Sequence, residues 1–244
     1  GLDESDLLNK IVATTTMIDS LDYRAIESVP TEEDKELSEV AEGAYIPETV
    51  IRTKETLTPL KKRGRMLVAS YEALKYQKLD LFTITLKQIG SYIAERQLVD
   101  AILAIYDDDI ERIPTAGSAI TYNDLVDLWN SLAPYQLTTI LAGRDLTAQI
   151  LKLDEFRDAN AGLDFHGTGK MITPIGAELV KTHILDDAFV IGLDKNCAVE
   201  KVQAGDIVTD YDKLIDRQLE RATITSIAGF SKIFNDASKV LELS

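Results

Sequence analysis

The sequence predicts an α+β fold organised around a single long helix, and three features of the chain lead to that reading. Residues 79 to 109, LDLFTITLKQIGSYIAERQLVDAILAIYDDD, carry Leu86, Ile89 and Ile93 on one stripe. Leu98, Ile102 and Ile105 continue a similar stripe, and only Gly90 interrupts the pattern. At 1.5 Å rise per residue this is a rod of roughly 40 Å, about twice an average globular helix. Segments rich in β-branched residues precede it, and short strands and helices follow it without an internal repeat.

The chain opens with ESDLLNKIVATTTMIDS, residues 4 to 20, where Leu7, Leu8, Ile11, Val12 and Ile18 recur at roughly helical spacing. The triple threonine limits this to a short amphipathic arm. SVPTEEDKELSEVAEG follows, acidic and poor in large apolar groups, and reads as an extended segment without a core. Between Ala44 and Leu74, AYIPETVIRTKETLTP and RGRMLVASYEAL alternate apolar with polar residues around the basic knot LKKRGR. Two such strands predict a long hairpin reaching away from the body.

After the long helix and the loop PTAGSA, Thr121 is placed to cap a helix through YNDLVDLWNSL, with Asp124 at its third position. QLTTILAG predicts a buried strand, and RDLTAQILKL the helix after it. Beyond Gly162 the chain divides into short strands, MITPIG, AFVIGLD, NCAVEKV and DIVTDY, and ends on the β-rich ERATITSIAGFSKIFNDASKVLEL.

Composition narrows the function. The 244 residues are 45% hydrophobic and 27% charged, which suits a folded chain of one large domain or two small ones sharing a core. With 41 acidic against 26 basic residues, the net charge is −15. Such a surface repels nucleic acid, because DNA affinity depends on basic side chains displacing phosphate counterions. The acidity fits a protein that stays soluble at high concentration, or one that encloses DNA without adhering to it. Cys197 is the only cysteine, so no internal disulfide forms, as suits a reducing cytoplasm. No apolar run approaches the roughly 18 residues of a membrane span, and no signal-peptide pattern opens the chain.

Motifs for catalysis fail on spacing. FHGTGKM, residues 165 to 171, resembles the start of a phosphate-cradling loop, but that loop needs a glycine where Asp164 stands and a hydroxyl where Met171 stands. A carboxylate at the cradle would repel phosphate, so the stretch reads as a tight turn. His166 and His183 have no partner at metal-ligand spacing, and no nucleophile elbow is present. Asp107, Asp108 and Asp109 point about 100° apart on a helix and so cannot converge on one ion. Cys197 lies in an apolar strand context and reads as an inert core residue. Two charge features remain. Glu32, Glu33, Asp34, Glu36, Glu39 and Glu42 form an acidic run, and Lys61, Lys62, Arg63 and Arg65 form a basic knot. They are either solvated faces or complementary surfaces that meet between subunits.

The order of these elements is similar to a known family. VAEGAYIPETVIRTKETLTPLKKRGRMLVASYEAL, residues 40 to 74, resembles the extended loop of tailed-bacteriophage major capsid proteins of the Hong Kong 97 type. It has the acidic-small tip Ala41-Glu42-Gly43, Pro47, two alternating strands, and an S-x-E-x-L start to the spine helix at Ser70-Tyr71-Glu72-Ala73-Leu74. The resemblance implies an N-terminal arm over 1–37, an extended-loop hairpin over 38–70, and spine helix with peripheral domain over 71–115. It further implies an axial domain over 116–210 and strands returning to the peripheral domain over 211–244.

By this resemblance the chain is expected to be a structural protein with no catalytic, cofactor or metal site. It would self-assemble through pentamers and hexamers into an icosahedral shell around phage double-stranded DNA, held without sequence-specific binding. Scaffold or portal proteins are the implied further partners, no membrane is involved, and the shell would assemble in the host cytoplasm as the virion capsid. Contacts with neighbouring subunits would come from Glu39, Glu42, Tyr45, Pro47, Arg52, Lys54, Lys61, Lys62, Arg63 and Arg65. The tip, residues 41 to 47, has no lysine, and residues 216 to 220 have no asparagine, so the isopeptide bond found in some members is not expected. A start at Gly1 suits a matured chain, and equally one served by a separate scaffold. Two alternatives stand beside this: an encapsulin-type nanocompartment shell, which shares the fold, and a small α+β nucleotide-binding enzyme using the loop from His166 to Lys170.

Overall fold

The computed structural model describes residues 4–27, 39, 42, 44–46, 48, 52–76, 79–156 and 170–244. In chain order the strands are β1 (Val12–Ile18), β2 (Ile26–Glu27), β3 (Arg52–Thr53), β4 (Lys61–Ser70), β5 (Glu111–Pro114), β6 (Thr139–Ala142), β7 (Glu178–Lys181), β8 (Phe189–Leu193), β9 (Val199–Ala204), β10 (Val208–Leu214), β11 (Leu219–Lys232) and β12 (Ser238–Glu242). The helices are Glu4–Asn9, Tyr71–Tyr76, the spine helix Leu79–Ile105, Tyr122–Ser131 and Arg144–Leu151.

The spine helix is buried along a stripe that touches two different cores. Its first half places Leu86, Ile89 and Ile93 against Ala222 and Ile224 of β11, with Leu67 of β4 beside them. Its second half places Leu98, Ala101, Ile102 and Ile105 in a larger core with Leu7, Leu8 and Ile11. The helix ends at Ile105, short of the Asp107–Asp109 run expected to close it. Asp107 instead leaves the helical path, and its carboxylate takes the buried Lys232 ammonium at 2.7 Å.

Two five-stranded sheets flank this helix. In the first, β9 and β10 lie along one edge of β11, β4 lies along the other, and β1 joins β9 in parallel. The fourteen residues of β11 bury Ala222, Ile224, Ser226, Ala228 and Phe230, an alternation that faces one side of the strand inward. The second sheet runs β5-β12-β8-β6-β7. It is covered on both faces: Leu141, Ile191 and Val240 enter the core that contains the spine helix, while Ile140, Val190 and Leu241 enter a second core with Leu125, Leu128, Leu146 and Ile150. Gly192 allows the second packing, since a Cβ there would lie 2.8 Å from a methyl of Leu128 and 2.8 Å from one of Leu137.

The Tyr122–Ser131 helix begins with the capping box expected from Thr121 and Asp124. The Asp124 amide donates to Thr121 Oγ1 at 3.4 Å, and the Thr121 amide donates to Asp124 Oδ2 at 2.8 Å. Asp124 also accepts from the Ala116 amide at 3.1 Å, so one carboxylate ties the loop after β5 to the helix. The Arg144–Leu151 helix starts at Gly143, which has no side chain to cap it. Asp187, distant in sequence, supplies the acceptor: its Oδ1 takes the Asp145 amide at 2.9 Å and the Leu146 amide at 3.2 Å.

Three sequence expectations are corrected. The short amphipathic arm expected over residues 4 to 20 is helical only at Glu4–Asn9, and the threonines continue as β1, paired in parallel with β9. Thr16 and Tyr23 both donate to Glu200 of β9, and Lys10 pairs with Glu178 at 2.6 Å, so this segment is fixed to the body. Residues 47 and 49–51 of the hairpin expected over 44 to 74 lie outside the described residues, and among those described its two strands do not pair with each other. β4 pairs with β11, and β3 pairs with β2, because strand pattern specifies an exposed or buried face but not the partner. The long hairpin among the described residues is β10–β11. β9 lies in the first sheet with β11, whereas β12 enters the second sheet. β5 and β7 were not anticipated, and MITPIG contributes a single bridge, Ile172 to Glu178, where a strand was expected.

Burial of Asp124 on its own would raise its carboxyl, but the Thr121 and Ala116 donors outweigh it and hold the group below the usual carboxylate value. Its contribution is therefore complete above the ordinary carboxylate range and is lost as pH falls through the depressed value. Asp124→Ala should lower unfolding stability by about 1–3 kcal/mol at neutral pH. Denaturant melts should show the gap to wild type closing below about pH 4.

Candidate subunit-contact surface

β4 is the element that carries most of the basic knot, and alternation along it divides the knot in two. Lys61, Arg63 and Leu67 face the spine helix: Leu67 packs on the apolar stripe, while both cations reach Asp100. Lys61 Nζ lies 2.8 Å from Asp100 Oδ1, and Arg63 NH2 lies 2.5 Å from Asp100 Oδ2. Burial would raise the Asp100 carboxyl, and the two cationic donors reverse that, leaving it below the usual carboxylate value. The opposite face of β4 presents Lys62, Met66 and Val68, the last two about half exposed at 50% and 49%.

Arg65 shares the helix-facing side but makes no ion pair among the described residues. It lines a surface groove of about 340 Å³ with Lys62, Arg63, Gly64, Ile89, Tyr92, Ile93 and Arg96. Ile89 and Ile93 form its apolar floor, Tyr92 is 57% exposed, and Arg65 and Arg96 stand exposed beside it. The neighbouring β10–β11 hairpin offers a second kind of surface. β10 is exposed along nearly its whole length, with Tyr211 at 69% and Ile215, just beyond the strand, at 80%. Cross-strand pairs close this hairpin: Arg221 with Asp212, and Lys213 with Glu220 at 3.0 Å.

The residues expected at subunit contacts separate accordingly. Glu39 and Glu42 are exposed. Tyr45 is exposed, and its hydroxyl donates to Glu48 Oε1 at 2.7 Å, which raises the phenol above its ordinary value. Lys54 turns inward and donates to the Lys232 carbonyl at 3.0 Å. Lys61 and Arg63 are likewise taken up within the chain, and Lys62 and Arg65 remain exposed. The Arg52 backbone lies in β3; its side chain and Pro47 lie outside the described residues. Asp100, which organises this surface, was missed from the sequence because nothing in a helical stripe reveals which strand will lie across it.

Among the described residues, the motifs weighed for catalysis do not assemble into a site. Residues 165–169 lie outside the described residues, so the turn reading of FHGTGKM and His166 are not placed. His183 Nε2 approaches Glu95 Oε1 at 3.4 Å on the surface. Among the described residues no group of three His, Cys, Asp or Glu side chains is arranged to hold a metal ion, and no helix is long and apolar enough to cross a membrane. Cys197 packs against the core; burial first, and the charge of Asp194 second, push its thiol above the ordinary value.

No known family profile matches the sequence, and no curated protein does. Solved structures are similar to it in fold. The capsid of a native GTA particle superimposes with a TM-score of 0.72 at 14% identity, over 99% of this chain and 90% of that one. The fold is the Hong Kong 97 type. The structure of Gordonia phage Cozz gives a TM-score of 0.64 at 13% identity, over 98% and 86%. The SrpI encapsulin of Synechococcus elongatus PCC 7942, in its holo complex, gives 0.67 at 12% identity, over 98% and 86%. In this Hong Kong 97-type chain the expected α+β class and long spine helix are present, built on side chains that differ from those of the similar structures at most positions.

Asp100→Asn should leave Arg63 and Lys61 without a charged acceptor and lower stability by about 1–2 kcal/mol at pH 7. Because the native carboxyl is depressed, the difference from wild type should fade as pH drops through its folded-state value, measured by urea titration at stepped pH.

Proposed function

We propose that the chain is the shell subunit of a tailed-phage-type capsid, which assembles through pentamers and hexamers around double-stranded DNA. The observation that carries this reading is end-to-end similarity of fold to capsid subunits, 99% of this chain on 90% of the GTA subunit. The surface supports it physically. A ribbon of β4, β11 and β10 exposes Met66, Val68, Val208, Tyr211 and Ile215 with no covering element among the described residues. Apolar groups on a strand pair of that length find partners most readily on a neighbouring copy. Many such contacts, each weak, add to a stable shell.

In this proposal the overlap contacts are made by Glu39, Glu42, Tyr45, Pro47, Arg52, Lys62 and Arg65, and the role is structural. Lys54, Lys61 and Arg63 hold the subunit's own fold. Scaffold and portal proteins act during assembly in the host cytoplasm, and DNA is enclosed without sequence-specific contacts because a net charge of −15 repels phosphate. A second reading, a nanocompartment shell that holds protein, is favoured by the encapsulin match at a TM-score of 0.67.

Size-exclusion chromatography followed by negative-stain electron microscopy tests both. Closed hollow particles, or rings of five or six subunits, are the expected outcome; nucleic acid inside selects the capsid, and protein inside selects the compartment. A chain that stays monomeric alone and with a co-expressed scaffold would overturn the shell reading.

A further inference from the structure

The groove between β4 and the spine helix stands out because three of its four cations, Lys62, Arg65 and Arg96, form no ion pair among the described residues. The chain has 41 acidic residues against 26 basic ones, so acids greatly outnumber their possible partners. Lys10, Lys61, Arg63, Lys213, Lys232 and Lys239 are all paired at 3.0 Å or less. Arg65 and Arg96 have no acid within ion-pair distance among the described residues, although they line the same groove. Asp100, the nearest carboxylate in sequence on the C-terminal side of Arg96, is already occupied by Lys61 and Arg63. An apolar floor of Ile89 and Ile93 and the exposed ring of Tyr92 complete the groove. Guanidinium groups beside a partly apolar wall bind carboxylates well, since the planar donor fork is weakly hydrated and gains from local desolvation.

We propose that the Arg65–Arg96 groove receives carboxylates of the acidic run Glu32 to Glu42 from a second copy of this chain. The run places six acids in eleven residues, and its two described members, Glu39 and Glu42, are exposed. Charge complementarity selects this occupant: no other stretch of that length in the chain holds as many acids. The groove takes from the shell reading only that copies meet, and it is tested separately from it.

The test mixes two variants of the full chain. One carries Arg65→Glu and Arg96→Glu; the other carries Lys at positions 32, 36, 39 and 42 in place of Glu. Each is expected to associate less than wild type in analytical ultracentrifugation. Their mixture should associate about tenfold more tightly than either alone, and rising salt should weaken that association. A control replaces Arg65→Glu and Arg96→Glu with Lys152→Glu and Lys181→Glu, the same charge change at exposed lysines away from the groove, and should not give the tenfold gain.

A mixture that stays monomeric overturns the proposal, as does an equal gain with the control pair. If instead a single chain carrying both sets of changes regains wild-type behaviour while the mixture does not, the contact lies within one chain and the proposal is also overturned. Failure of wild type to form particles, with the mixture still associating, would remove the shell reading and keep the groove.

Discussion

Everything in the first sheet depends on the alternation along β11. Ala222, Ile224, Ser226, Ala228 and Phe230 point inward over nine residues, and a slip of one position would turn all five outward and bring the intervening threonines into the core. A buried hydrogen bond from Gln97 Nε2 to Ser226 Oγ, 3.0 Å long, adds a polar constraint on the same register. An unpaired amide or hydroxyl there would cost about 1–3 kcal/mol, so the helix and strand fix each other's position. β4, β9 and β10 all pair with this one strand, and β1 is added through β9.

At its far end β11 becomes part of the body. Lys232 is buried and pairs with Asp107, just beyond the end of the spine helix, while its carbonyl accepts from Lys54. The chain then turns through Asn235–Ala237 into β12, which takes a place inside the second sheet between β5 and β8. The two sheets are thus joined by consecutive strands and clamped by one helix. That arrangement leaves the β10–β11 end exposed.

Local chemistry was legible in the sequence and long-range pairing was not. The capping box at Thr121 and Asp124 could be read because both partners lie three residues apart, and the spine helix because its stripe repeats along most of its 27 residues. The Arg144–Leu151 helix was found, but its cap was not, since Asp187 reaches it from 42 positions away. The same limit explains the hairpin. Residues 61 to 70 do form a strand, as their alternation implied, yet their partner among the described residues is β11. The threonines of β1 show the complementary case: the helical reading held for Leu7 and Leu8, but the helix ends at Asn9, and from Val12 the β-branched residues take the chain into a sheet. Of the basic knot, the sequence disclosed the charge; only the pairing with Asp100 shows which of those charges are already engaged.

That division has an electrostatic consequence. Copies of a chain with net charge −15 repel one another at long range, and this repulsion is screened beyond roughly 8–10 Å at physiological ionic strength. Association then has to be driven at contact distance, by apolar burial and by cations that the subunit has not engaged in its own fold. Pairing Lys61, Arg63, Lys232 and Lys239 internally removes them from that set, while exposed cations such as Lys62, Arg65 and Arg96 stay outside any ion pair among the described residues. Repulsion everywhere else discourages misplaced contacts between copies. An acidic surface whose Arg65 and Arg96 are unpaired among the described residues, beside apolar ribbon residues, therefore favours few, specific and reversible contacts over strong indiscriminate ones.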